Sequence, residues 1–247
     1  MATKFVNQVN FPITTTDEHT ATVAAFPELD NNSYTIPDLI PAAERENILT
    51  HLANSNWQPV SITGMSGNWQ EGDPIGSYRA SNYTPEYADT LWERIKDQLP
   101  ATRIFTDSDN TDWDNHEIWE PFGISPLLRF IKYTEGGWLV VHYDAPYVES
   151  EDVRTLQSVV IYLTQSDTIE GGATRFMHDP QAGIPIAERN LNDQARAATE
   201  EEVRLRFSPS DGTAVIFDHR LLHDAELVQG SGEKIIIRTD IMYRKVK

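Results

Sequence analysis

Apolar and polar positions follow two different rhythms along this 247-residue chain. Between Pro41 and about Asn54, Ile48, Leu49 and Leu52 recur at helical spacing, and Asn54-Ser55-Asn56 stops the pattern. Thr84-Pro85-Glu86 reads as a second helix start: a hydroxyl cap, a proline in the first turn and an acid at the positive end. Tyr87, Leu91, Trp92, Ile95 and Leu99 then form one apolar stripe that Pro100 closes. Beyond Leu127 the period falls to two, and strands are predicted over 128–134, 138–144, 158–164, 172–176, 203–207, 213–218, 224–228 and 234–243. These short strands, about eight and separated by turn residues, fit a mainly β fold, a double-stranded β-helix or jelly roll, with the N-terminal helices packed outside. The chain reads as a single domain over 1–247, with a helical and mixed support region over 1–126 and the jelly-roll core over 127–247. The polar segment 180–199 interrupts the strands and reads equally as a lid over a binding site or as a bland insertion.

The candidate chemistry lies on one of the predicted strands. In Leu139-Val140-Val141-His142-Tyr143-Asp144, positions i and i+2 face the same way, which sets the His142 and Asp144 Cα atoms about 6.6 Å apart. Two imidazoles and a carboxylate form the facial ligand set of non-haem Fe(II) oxygenases, so a second histidine must come from elsewhere. His-x-Asp alone is weak, because a lone histidine near a core is more often hydrogen-bonded than metallated. The chain holds seven histidines. His219 and His223 follow the strand ending at Phe217; His178-Asp179 opens a polar stretch; His19, His51 and His116 have no partner pattern.

Further motifs stand in order around this strand. Tyr133 precedes His142 by nine positions with Gly136-Gly137 between them. Glu170-Gly171-Gly172-Ala173-Thr174-Arg175-Phe176 follows, then Asp211-Gly212-Thr213-Ala214-Val215-Ile216-Phe217, the two histidines, and Gly230-Ser231-Gly232-Glu233-Lys234 running on to Arg238. From about Leu127 to Lys247 this order resembles the prolyl-4-hydroxylase-like group of Fe(II)/2-oxoglutarate-dependent dioxygenases. The resemblance selects His223 over His219 and implies that His142, Asp144 and His223 hold Fe(II) as the catalytic centre. It further implies that Tyr133, Thr174 and either Lys234 or Arg238 bind 2-oxoglutarate. Lys234 follows His223 by eleven positions, where the family's basic residue follows by nine or ten, so both cations stay open, with Lys234 favoured. They share one face of the predicted strand about 13 Å apart, and Asp240 or Asp211 is the alternative partner for Arg238.

The implied reaction uses O2, releases succinate and CO2, and hydroxylates an unactivated C–H, with ascorbate a candidate stimulant. A carboxylate at Asp144 argues for hydroxylation over halogenation. Arg79, Asn82, Arg129, Tyr147 and Arg175 are candidates to line a substrate pocket, and an arginine there suits a substrate carboxylate; the alternative for each is a surface pair with one of the many acids. The substrate expected is a small molecule, an amino acid or a derivative of one. A protein or peptide side chain is the second reading, and a non-catalytic cupin-like or sugar-binding module the third. With 38 acidic against 20 basic residues the net charge is −18, which disfavours nucleic acid as a partner. The absence of cysteine excludes disulfides and thiolate metal sites and fits the reducing cytoplasm, the expected location. No apolar run approaches the roughly 18 residues of a membrane span, so no membrane partner is expected.

Overall fold

A computed structural model describes residue 13 and residues 19–64, 70–104, 117–182, 184, 188–190, 196–208 and 210–246. The strands that position the site are, in chain order, β1 (Tyr34–Ile36), β2 (Gln58–Ser61), β3 (Ile75–Tyr83), β4 (Ile118–Ile124), β5 (Leu127–Tyr133), β6 (Leu139–His142), β7 (Val153–Gln165), β8 (Thr174–Met177), β9 (Val203–Phe207), β10 (Ala214–Asp218), β11 (His223–Ala225) and β12 (Lys234–Lys245). Two helices, α1 (Ala42–Leu52) and α2 (Pro85–Glu93), belong to the N-terminal half.

Among the described residues the larger sheet runs in the order β1-β10-β7-β12-β5-β3-β2, with β4 alongside the second half of β12. The smaller sheet runs β9-β8-β11-β6. All these pairings are antiparallel. The larger sheet is buried on both faces, which explains the near-continuous apolar run on β7. On β12, Ile235, Ile237 and Ile241 join Phe130 and the helix residues Ile48, Leu52, Tyr87 and Leu91 in one core. Ile236 instead joins Tyr133, Val160, Tyr162, Val215 and Phe217 in a second core between the sheets.

The first half contributes more strand than its sequence predicts. Ile75–Tyr83 carries few β-branched residues, yet β3 pairs with β5 on one side and β2 on the other. Small side chains at Gly76, Ser77, Ala80 and Ser81 are buried, so pairing on both edges, rather than intrinsic preference, makes it a strand. Predicted strand 138–144 ends at His142, 158–164 extends to Val153–Gln165, and 224–228 divides into His223–Ala225 and Val228–Gln229. Thr84 sits at the start of α2 with Pro85 in its first turn, but its hydroxyl makes no capping bond. Its N–H donates instead to the Pro126 carbonyl at 2.9 Å, tying the helix to the loop before β5.

The segment 180–199 is anchored where it is described. Arg189 donates to the Ile184 carbonyl at 2.6 Å, pairs with Asp179 at 3.3 Å and lies 4.7 Å over the Tyr143 ring. Among the described residues no helix is long and apolar enough to cross a membrane.

The helix layer has one buried ion pair. Arg94 grips Glu44 with two bonds of 2.5 and 3.0 Å, and the Tyr87 hydroxyl donates to the same carboxylate at 2.9 Å. Burial and the Glu44 carboxylate push the Tyr87 hydroxyl well above its ordinary range. Removing one member of such a pair strands the other charge away from water. Glu44→Ala is expected to lower the unfolding free energy by about 3–5 kcal/mol, and Glu44→Ala with Arg94→Met by less than Glu44→Ala alone; urea denaturation of both variants checks this.

Candidate metal centre

The register of β6 against β11 places His142 directly opposite His223, with ring centroids 4.2 Å apart. Each ring is fixed in the same way. Nδ1 of His142 bonds the Val140 carbonyl and Nδ1 of His223 bonds the Leu221 carbonyl, both at 2.8 Å. A carbonyl only accepts, so Nδ1 carries the proton and Nε2 keeps its lone pair. The two Nε2 atoms approach Asp144 at 3.8 and 3.7 Å.

Asp144 lies just past the strand end, and its N–H donates to the His219 carbonyl at 3.0 Å. Its carboxylate accepts from Ser158 Oγ on β7 and pairs with Arg238 on β12 at 3.2 Å. Burial alone would raise this carboxyl; Arg238 and the two histidines outweigh burial and hold it well below the usual carboxylate range. Burial, with His142 alongside, pushes His223 down to about 3 and keeps it neutral. One ligand atom from each of His142, Asp144 and His223 falls within 4.8 Å of the others. Two imidazoles, each anchored through its second nitrogen, and one hydrogen-bonded carboxylate suit a divalent first-row metal such as Fe(II).

Further along the inter-sheet space lies a second polar group. Lys234 is 1% exposed and stands opposite Tyr133 in the β12–β5 register. Its ammonium donates to the Gly172 carbonyl and lies 5.1 and 5.4 Å from the Tyr133 and Tyr162 ring centroids. Gly171 and Gly172 both have positive φ, 76° and 75°, the left-handed backbone that turns this carbonyl toward the lysine. The Tyr162 hydroxyl and Thr174 Oγ1 are 2.6 Å apart. No carboxylate reaches ion-pair distance of Lys234 among the described residues, and burial pushes its ammonium down to about 7.

The other candidates divide by strand face. Arg238 is engaged by Asp144 and, at 3.1 Å, by Asp240, while Asp211 pairs with Arg45 on the far side. Arg79 and Arg129 share the cavity face of β3 and β5, as their partners Ile131 and Arg238 do. Asn82 alternates onto the opposite face opposite Leu128, in the helix-side core, and is not brought to the cavity. Arg175 likewise turns outward, where Asp224 takes it in two bonds of 2.9 and 2.5 Å. Tyr147 is 53% exposed.

Among the remaining histidines, His219 occupies a turn but is buried, 3.7 Å from Asp240. His178 is exposed, and its neighbour Asp179 accepts from the Tyr143 hydroxyl at 2.7 Å. His19 and His51 bond backbone carbonyls, and His116 lies outside the described residues. Sequence reasoning missed Ser158 and Tyr162, whereas Asp240 was already a candidate partner for Arg238. Tyr162 did leave a signal, a phenol inside the apolar run Val159-Val160-Ile161, whose buried hydroxyl needs a partner.

Residues 128–239 match the family model of the 2OG-Fe(II) oxygenase superfamily. No curated protein matches the chain. Among solved structures it is similar to a prolyl hydroxylase from Trichoplax adhaerens in complex with a hypoxia inducible factor peptide fragment, at 14% identity and a TM-score of 0.51 over 85% of this chain and 83% of that one. A Pseudomonas putida prolyl-4-hydroxylase aligns over 87% of this chain and 94% of its own, at 14% identity and a TM-score of 0.48. HygX from Streptomyces hygroscopicus, with nickel, 2-oxoglutarate and hygromycin B bound, aligns over 86% and 82% at 12% identity and a TM-score of 0.47. At 14% identity the likeness to the Trichoplax adhaerens structure is one of fold.

Replacing His142, Asp144 or His223 by Ala is expected to abolish tight Fe(II) binding, while His219→Ala retains it, as read by anaerobic metal titration. Full retention in His223→Ala with loss in His219→Ala would reverse the ligand assignment.

Proposed function

Because residues 128–239 match the family model of the 2OG-Fe(II) oxygenase superfamily, we propose that the chain is such an oxygenase and hydroxylates an unactivated C–H bond of a small molecule, an amino acid or a derivative of one. His142, Asp144 and His223 hold the iron, and Lys234 holds the distal carboxylate of 2-oxoglutarate. The observation that carries the second assignment is the buried Lys234 ammonium, ringed by Tyr133, Tyr162 and the Gly172 carbonyl and, among the described residues, lacking an ionic partner. Arg238 already engages Asp144 and Asp240, which supports Lys234 over it.

Iron with 2-oxoglutarate and O2 supplies the oxidising chemistry, with succinate and CO2 as coproducts. The protein's part is placement. Ser158 and Arg238 fix the Asp144 carboxylate, and the two Nδ1–carbonyl bonds fix the imidazoles. Phe217 packs edge-on against His223 at 4.9 Å and Phe176 against Phe217 at 5.1 Å, an aromatic wall that keeps water from that ligand. Tyr133, buried opposite Lys234, and Thr174, bonded to Tyr162, complete the polar lining of the deep end. The cysteine-free chain is read as a cytoplasmic enzyme.

The first test is Fe(II)-dependent release of succinate from 2-oxoglutarate in the presence of ascorbate, with candidate amino acids and peptides screened for gain of one oxygen. Oxidation of a macromolecule alone would overturn the small-molecule reading. Neither succinate nor cosubstrate binding would leave a non-catalytic module.

A pH dependence follows from Lys234. Its ammonium carries the charge below about 7 and loses it above. Affinity for 2-oxoglutarate is therefore highest below that point, and the apparent Kd rises above it with a limiting slope of about tenfold per pH unit. Lys234→Arg, which stays protonated, flattens this profile. Lys234→Met removes 2-oxoglutarate binding yet raises the melting temperature of the ligand-free protein at pH 6, because a buried ammonium costs stability there. Calorimetric titration across pH, with thermal unfolding, checks all three.

A further inference from the structure

Beside the metal ligands the cavity wall is more cationic than 2-oxoglutarate binding at Lys234 requires. Arg129 and Arg238 stand directly opposite each other on β5 and β12. Like charges in that position repel. Arg79, two positions from the Ser81 that pairs with Arg129, adds a third guanidinium to the same face. Burial, and then the neighbouring guanidinium groups, lower both Arg79 and Arg129 from their ordinary values.

The carboxylates acting on these arginines are Asp144 and Asp240. Arg238 approaches Asp144 at 3.2 Å and Asp240 at 3.1 Å, and Arg129 approaches Asp240 at 3.4 Å. Asp144 is also the candidate metal ligand, and a divalent cation there claims its negative charge. Asp240 is then left against Arg129 and Arg238, with Arg79 on the same face.

A second observation is independent of charge counting. His219 is 4% exposed, and among the described residues both its ring nitrogens lack a hydrogen-bond partner, as does the buried Nε of Arg238. Nε2 of His219 stops 3.7 Å from Asp240, beyond hydrogen-bond reach. Buried polar atoms are almost always paired in native proteins, and an unpaired donor costs free energy that a ligand acceptor recovers.

We infer that Arg79, Arg129 and Arg238 form the anion-binding wall of the substrate site, so that the primary substrate is a free carboxylic acid whose carboxylate docks there. This inference rests on the oxygenase reading above and narrows its substrate class. A planar carboxylate matches the guanidinium fork in two parallel bonds, and the low-dielectric interior strengthens them. A neutral amide or ester of the same acid has no charge to offer in exchange for the repulsion among the arginines. Arg238 bridges the two halves of the site, through Asp144 toward the metal and through Arg129 toward the substrate.

The test titrates protein loaded anaerobically with Mn(II) and 2-oxoglutarate, by calorimetry. The probes are small carboxylic acids, free and N-acylated amino acids included, each paired with its primary amide. At least one acid is expected to bind about tenfold or more tightly than its amide, and Arg129→Gln to remove that preference. In the same variant the Kd for 2-oxoglutarate is expected to stay within about twofold of wild type. Arg129→Lys, which keeps the charge, restores part of the preference, and Arg79→Gln, on the same face, serves as the scored variant if Arg129→Gln does not fold. The inference is overturned if no acid outbinds its amide, or if the preference survives in the scored variant. It is equally overturned if Arg129→Gln weakens acid and 2-oxoglutarate alike, which would assign the arginines to the cosubstrate. Failure of wild-type protein to bind Mn(II) and 2-oxoglutarate would instead refute the oxygenase reading, so the two failures are distinguishable.

Discussion

The two-residue alternation along β12 is the constraint on which the rest of the molecule depends. Ile235, Ile237 and Ile241 belong to the helix-side core, whereas Ile236 belongs to the inter-sheet core. Lys234, Arg238 and Asp240 therefore face the cavity at intervals along one strand. A slip of one residue would bury three charges under the helices and turn three isoleucines toward the metal ligands. That slip is prevented by pairing with β7 along most of the strand and with β5 and β4 on the other edge. The helix layer contributes by burying the apolar half of the alternation, and its Glu44–Arg94 pair ties α1 to the end of α2.

The charged groups inside the protein are arranged by function along this strand. Asp144 is drawn into a network with Ser158 and Arg238, so the carboxylate is ionised and oriented before any ligand arrives. The histidines are aimed, one by each small-sheet strand that meets at the β6–β11 pairing, and burial keeps His223 neutral. Lys234 is treated differently. It has tyrosine rings and a single carbonyl around it, and this incomplete solvation makes the deep end of the cavity receptive to a carboxylate. The chain as a whole carries a net charge of −18, yet the interior beside the metal ligands gathers Arg129 and Arg238.

The C-terminal half was the legible half, because its strands alternate cleanly and its motifs stand at fixed offsets. Leu127–Tyr133, Val203–Phe207 and Ala214–Asp218 appear within a residue of where the alternation places them. The N-terminal strands were not legible. Ile75–Tyr83 is buried on both faces by small and polar residues, so neither alternation nor β-branching marks it. That omission explains why Asn82 and Arg79 were candidates together, since without the β3–β5 register nothing reveals that they face opposite ways. Arg175 takes the alternative the sequence offered, a pair with an acid. It neighbours Thr174 and Phe176, which face inward, and only the pairing with Asp224 shows that it points out. Asp240 looked like a partner for Arg238; that it also reaches Arg129 and His219 depends on contacts between strands distant in sequence.

The central claim is a division of labour along the inter-sheet cavity, with the metal at the His142, Asp144 and His223 end and the cosubstrate's distal carboxylate at Lys234. A crystal structure of the protein with Mn(II) and 2-oxoglutarate tests it most directly. The account predicts the ion on those three side chains and the distal carboxylate against the Lys234 ammonium beside Tyr133. A distal carboxylate seated on Arg238, or an ion bound through His219, would contradict it.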